Sequence, residues 1–111
     1  MGRIYELFNN TADARTYYQK AVNIDPDFFL ALNNLGVIYI NEGLYPEAVT
    51  LLKRAIEANQ HYVEAFGNLG VAYHFMGDVD LAKIYYQKAL DNNPDYQLAK
   101  ENLNKLIINN K

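Results

Sequence analysis

The sequence predicts an all-α fold, an array of antiparallel helical hairpins stacked into a solenoid. Three observations predict it. The chain repeats with a period of 34 residues, apolar positions within each repeat recur at helical spacing, and small residues fall where paired helices must cross. A fixed period of this size belongs to stacked supersecondary units, each of which buries its apolar face against its neighbours.

The period is read directly. Leu35-Gly36-Val37-Ile38-Tyr39 lies over Leu69-Gly70-Val71-Ala72-Tyr73, Gly43 falls on Gly77, Ala48 on Ala82 and Ala55 on Ala89. One period earlier, Gly36 lands on Gly2, Tyr39 on Tyr5, Ala48 on Ala14 and Ala55 on Ala21. Asn23-Ile24-Asp25-Pro26-Asp27-Phe28 and Asp91-Asn92-Asn93-Pro94-Asp95-Tyr96 are one element two periods apart. The chain therefore divides into a partial first unit (1–28), two full units (29–62 and 63–96) and a tail (97–111).

Taken in order, the first unit has Gly2 in the Leu-Gly slot, so its leading helix lacks about two turns of the period's pattern. Tyr5, Phe8, Tyr18 and Val22 are then expected to be partly uncovered, which predicts self-association through the incomplete N-terminal repeat or a missing upstream partner. In the second unit Leu32, Leu35, Gly36 and Tyr39 mark one helix face, Gly43 stops that helix, and Pro46 suits the first turn of the next. Ala48, Leu52, Ala55 and Ile56 mark the face of the trailing helix. In the third unit Phe66, Leu69, Gly70 and Tyr73 repeat the pattern, Gly77 stops the helix, and Asp78 or Asp80 caps the following one. Gly36, Gly70, Ala48, Ala82, Ala55 and Ala89 let helices approach, so a leucine at Gly70 should push its pair apart. Lys20, Arg54 and Lys88 recur near the ends of the trailing helices, where a cation favours the dipole. Gln97 to about Ile108 reads as one more helix that caps the last hairpin, and Asn109-Asn110-Lys111 should fray.

These residues resemble the tetratricopeptide repeat (TPR) family. Its pattern of a large apolar residue, Leu-Gly, Tyr, Gly-Asp, Ala, an aromatic, Ala and Pro is met in the third unit by Phe66, Leu69-Gly70, Tyr73, Gly77-Asp78, Ala82, Tyr86, Ala89 and Pro94. The second unit departs from it at Leu32, Leu44, Leu52 and Gln60. The resemblance covers residues 1–96. It implies a right-handed superhelix whose leading helices line a concave groove that binds segments of other proteins.

Composition narrows the function. The net charge is −3 with acids and bases interspersed, which provides no electrostatic footprint for nucleic acid. No apolar run approaches the ~18 residues of a membrane span, and no basic start precedes an apolar stretch as in a signal peptide. The sequence leaves the compartment open, with the cytoplasm favoured. Cysteine is absent, which excludes disulfides and thiolate zinc sites.

Candidate chemistry is sparse. Serine is absent as well, and Thr11, Thr16 and Thr50 have no histidine placed by the pattern to activate them. His61 and His74 belong to no metal-ligand spacing. Asp25/Asp27, Asp78/Asp80 and Asp91/Asp95 flank turns, where aspartate caps orphan amides. No glycine-rich loop follows a strand, so no phosphate cradle is expected. The chain is read as a non-enzyme without cofactor or metal.

Residues off the core stripe of the leading helices are expected to face the groove: Asn33, Asn34, Val37, Ile40 and Asn41, then Gly67, Asn68, Val71, His74 and Phe75, and Leu98, Glu101, Asn102 and Lys105 from the tail. Asn34, Asn68 and Asn102 are spaced by 34 and 34. Each amide offers a donor and an acceptor, so the three can form a ladder that pairs with the backbone of an extended peptide. This is similar to the asparagine ladder in the repeats of O-linked N-acetylglucosamine transferase; the other reading is that these asparagines support the adjacent turn or helix contact. The family's carboxylate clamp for chaperone tails is not matched. Glu64 and Asn68 fill its cationic slots in one register, Leu98 and Asn102 in the other. The expected function is a scaffold for an extended or helical peptide, with a self-assembling module or an accessory substrate-gripping region of a larger enzyme, such as a glycosyltransferase, as alternatives.

Overall fold

The computed structural model describes residues 2–109, with side chains placed for residues 12–107. Among the described residues six helices and no strand are found: α1 (Gly2–Ile24), α2 (Phe29–Asn41), α3 (Tyr45–Ala58), α4 (Val63–Phe75), α5 (Val79–Asn92) and α6 (Gln97–Asn109). The Cα radius of gyration is 14.6 Å, above the ~13 Å of a compact domain of similar length, as suits an array.

The helix ends follow from local chemistry. Gly43 and Gly77 take φ of 81° and 84°, the left-handed conformation that costs glycine least. Each closes a double hydrogen-bonded stop: Gly43 N–H donates to the Ile40 carbonyl and Leu44 N–H to Tyr39, while Gly77 and Asp78 do the same to His74 and Tyr73. Of the two candidate caps, Asp78 is the one used, accepting from Leu81 N–H at 3.2 Å. Pro46 occupies the first turn of α3. Between units the chain turns on one device three times. Asp25, Asn59 and Asn93 each accept from the backbone N–H two residues on, at 3.1, 3.0 and 3.1 Å. Gln60 in place of proline leaves that turn intact.

Packing makes two apolar clusters that meet at α3. Leu51 and Ala55 join Val22, Ala31, Leu32, Leu35 and Ala65 on one side. Ala48 and Leu52 join a larger cluster built on Phe66, Leu69, Tyr86, Ala89, Ala99 and Leu106. The small residues lie at the crossings. A Cβ on Gly36 would meet Leu52 Cγ at 2.8 Å, and one on Gly70 would meet Tyr86 Cε1 at 2.5 Å. Leu106, buried in the larger cluster, seats α6 on the last hairpin.

Three expectations change. The register of the first unit implies a shortened leading helix ahead of a trailing one, but α1 runs as one helix of 23 residues. The position equivalent to Gly43 and Gly77 is Asn9, and among the described residues no residue but glycine takes a positive φ. Lys20, Arg54 and Lys88 lie ahead of the last helical turns. Arg54 instead donates to the Pro26 carbonyl at 3.3 Å and ties α3 to the preceding turn, and Lys88 lies 5.9 Å from the Tyr85 ring centre. Of the four side chains expected to be uncovered in the first unit, Val22 is buried and Tyr18 half-buried against α2; those of Tyr5 and Phe8 lie outside the described residues, as do Asn110 and Lys111.

Candidate functional site on the concave face

Among the described residues the leading helix α4 touches both α2 and α6, whereas the trailing helices α1, α3 and α5 do not meet. The array therefore bends toward the leading helices, which form its inner wall. Near their N-terminal ends α2 and α4 are joined by a chain of polar side chains. Asn68 Nδ2 donates to Asn33 Oδ1 at 3.0 Å, and Asn33 Nδ2 donates to the Tyr62 hydroxyl at 3.5 Å. Asn33 is 4% exposed, and a carboxamide this deep must be hydrogen-bonded to be tolerated. The bond orients Asn68, whose Oδ1 is left without a protein partner among the described residues.

Two tyrosines frame this chain. Tyr62 packs edge-on against Phe29 with ring centres 5.0 Å apart. Tyr96 lies over Gly67, where a Cβ would come within 2.7 Å of its ring, so any side chain there would displace the tyrosine. Burial pushes the Tyr62 phenol up to about 12, helped by the neighbouring Glu64 carboxylate and opposed by the bond from Asn33. Burial, then Glu64, also raises Tyr96. The site is thus carboxamides, phenols that stay protonated and one carboxylate.

The predicted groove residues separate into distinct settings. Asn33 and Asn68 come together, and Asn34 is half-buried beside them in sequence. Asn102 is half-buried next to the Tyr86 hydroxyl. Val37 and Val71 are half-buried wall residues. Ile40 is 7% exposed within the larger apolar cluster, so it packs the wall and is not presented to a ligand. Asn41, His74 and Phe75 are exposed at the opposite helix ends, where Phe75 stacks on Tyr45 (5.5 Å, 13°) and on His74 (6.2 Å, 16°). Tyr62, Glu64 and Tyr96, which adjoin this polar chain, are not among the residues the sequence points to. The signal for the tyrosines is the period itself, since Phe28, Tyr62 and Tyr96 share one register.

Tyr86 carries a measurable consequence. It is fully buried, its hydroxyl has no hydrogen-bond partner of acceptable geometry, and burial pushes its pKa up to about 12 despite the nearby Asn102. The unfolded phenol ionises near 10. The folded state therefore holds its proton longer, so stability is intact below pH ~10 and falls as pH rises toward 12. Tyr86→Phe is expected to flatten that alkaline loss and to be neutral or stabilising by up to ~1 kcal/mol at neutral pH, since it removes an unpaired buried polar atom. Urea titrations at neutral and alkaline pH, followed by helicity, check this; a variant less stable than the parent at neutral pH would contradict it.

An inner wall made by leading helices, with glycine-stopped hairpins behind it, defines a repeat scaffold for protein interaction. A family model described as "Tetratricopeptide repeat" matches residues 27–95 and a second, "TPR repeat", matches residues 2–43. The chain belongs to the tetratricopeptide repeat family, which consists mostly of non-enzymatic interaction modules. No curated protein sequence matches it significantly. Among solved structures, the first TPR of Spaghetti (RPAP3) bound to the HSP90 peptide SRMEEVD superposes with a TM-score of 0.84 at 23% identity, over 95% of this chain and 83% of that one. YrrB, described as a TPR protein with an unusual peptide-binding site, gives a TM-score of 0.79 at 28% identity over 90% of this chain and 52% of its own. An O-GlcNAc transferase mutant of Thermobaculum terrenum gives 0.84 at 28% identity over 87% of this chain and 19% of its own. This chain thus spans about half of YrrB and a fifth of the transferase. No helix among the described residues is long and apolar enough to cross a membrane.

Proposed function

We propose that the inner wall binds an extended or helical segment of a partner protein, gripped at Asn68 and flanked by Asn33, Asn34, Val37, Val71 and Asn102. The observation that carries this reading is the Asn68–Asn33–Tyr62 chain, which fixes one carboxamide in orientation while leaving its carbonyl oxygen to receive a donor. Orientation before binding reduces the ordering cost that association otherwise carries. Glu64 sets the charge of this part of the wall, and it favours a segment offering N–H or cationic groups over one ending in carboxylates. His74 and Phe75 at the far end of α4, with Tyr45 at the start of α3, supply an aromatic surface. No catalytic role is assigned to any residue of the chain.

Screening against an array of immobilised peptides, followed by Asn68→Ala on the best binder, tests the proposal. The substitution is expected to weaken binding by about 1–3 kcal/mol, the cost of an unpaired buried group, with helicity unchanged. Equal affinity for parent and variant would remove Asn68 from the account. A second reading, an accessory region that grips substrates for a larger enzyme, is favoured by the match to a small part of a glycosyltransferase. Binding restricted to that enzyme class's acceptor proteins would support it.

A further inference from the structure

At the start of the array, between the end of α1 and the turn into α2, Tyr17, Lys20, Ala21, Ile24, Asp25 and Phe28 line a hollow of about 450 Å³. Its apolar residues are open, with Ile24 86% and Tyr17 66% exposed. The positions of Tyr17, Ala21 and Phe28 are covered in the second unit, and that of Ala21 in the third. Leu51 and Ala55 are buried beneath α2, Tyr62 meets Phe29, and Ala89 is buried beneath α4. Among the described residues α1 contacts only α2, and no other helix lies over this face. Ile24 adds a separate sign. One and two periods on, its register holds Ala58 and Asn92, both exposed, so solvent faces this position elsewhere and an isoleucine is not needed for the hairpin.

We propose that this hollow is a homodimer interface, closed by the hollow of a second copy across a two-fold axis. Two-fold contacts present the same patch twice and therefore require self-complementarity. The lining has it. An axis level with the middle of the stretch, between Val22 and Asn23, sets Lys20 of one copy against Asp25 of the other, Ala21 against Ile24 and Tyr17 against Phe28. Each copy then contributes one cation and one anion, and the bulky apolar groups meet small or aromatic ones. Asp25 Oδ1 is held by Asp27 N–H, which leaves its second oxygen for the lysine. The chain already uses this kind of contact internally: Arg54, one period after Lys20, donates to Pro26 in the same turn. A head-to-tail stack with α6 of another copy laid against α1 fits poorly. Asn104 stands in the register of Gly36 and Gly70, where even a Cβ comes within 2.8 or 2.5 Å of the trailing helix's side chain.

Sedimentation equilibrium of the full chain tests the interface. A dimer is expected, and Ile24→Asp should raise its dissociation constant at least tenfold with the circular dichroism spectrum unchanged. Lys20→Asp and Asp25→Asn, the latter keeping the turn's acceptor, should each weaken it at low salt. Combining Lys20→Asp with Asp25→Lys should restore it. A monomer up to the solubility limit overturns the proposal, including the case where a helix from another protein or from additional sequence takes the hollow. A dimer indifferent to these substitutions overturns it equally. The peptide-binding assay of the inner wall is independent, since Ile24 lies outside that wall.

Discussion

Gly70→Leu is expected to cost several kcal/mol and to leave the chain largely unfolded at moderate temperature. A Cβ on residue 70 would sit 2.5 Å from Tyr86 Cε1 and 2.6 Å from Cδ1, inside any contact that real Cβ atoms make. The obstacle is the flank of a rigid ring, and Tyr86 has no exposed surface through which to move away. Overpacking a filled core costs about 1–3 kcal/mol, occasionally more, and small domains have only ~5–15 kcal/mol in total. The matched position gives an internal control. At Gly36 the intruding Cβ would meet Leu52 Cγ at 2.8 Å and Cδ2 at 2.9 Å, and a leucine can change rotamer where a tyrosine cannot. Gly36→Ala is therefore expected to be milder than Gly70→Ala, and Tyr86→Leu should recover part of the loss in the Gly70→Ala background. Urea midpoints at constant m read out all four proteins. Equal costs at the two glycines would sink the claim that helix crossings set these residues.

The parts of the fold legible in the sequence are those where one residue type answers one physical demand. Gly43 and Gly77 were expected to stop helices, and they take the positive φ that few other residues tolerate. Gly36 and Gly70 were expected at crossings, and they lie against Leu52 and Tyr86. Asp78 and Pro46 sit at helix starts as their chemistry requires. The first unit was harder because its signal is negative. Asn9 in the glycine register permits a turn or a helix, and nothing local decides between them.

The polar wall was less legible still, because it depends on how neighbouring helices are offset. Asn34, Asn68 and Asn102 share a register, and that regularity suggests equivalent rungs. In the structure Asn68 bonds to Asn33, 35 positions away in sequence, while Asn102 sits by Tyr86. A hydrogen bond between helices follows their relative height and rotation, and a one-residue shift turns a side chain by about 100°. The period predicts which residues are equivalent within their own units, but not which of them touch across units. Tyr62 and Tyr96 are hidden for the same reason, as turn residues in sequence that fold back over the preceding leading helix.

Leu32→Ala and Leu69→Ala are each expected to remove about 2–5 kcal/mol, the usual range for a leucine taken from a core, but with different spatial patterns. Both side chains have no exposed surface. Leu32 belongs to the smaller cluster, centred on α2 between α1 and α3, Leu69 to the larger one that reaches from Ile40 of α2 to Leu106 of α6. In an array whose units contact only their neighbours, stability is close to a sum of unit and interface contributions, so damage at one end need not reach the other. Leu32→Ala should therefore release amide protection in α1 and α2 while α4 and α5 stay protected. Leu69→Ala strikes the helix that contacts α2, α3, α5 and α6, so protection should fall along the whole chain. Hydrogen exchange resolved by residue distinguishes the two. Uniform loss of protection in both variants would mean that α3 couples the clusters into one cooperative unit, and the two-cluster description would then have no energetic content.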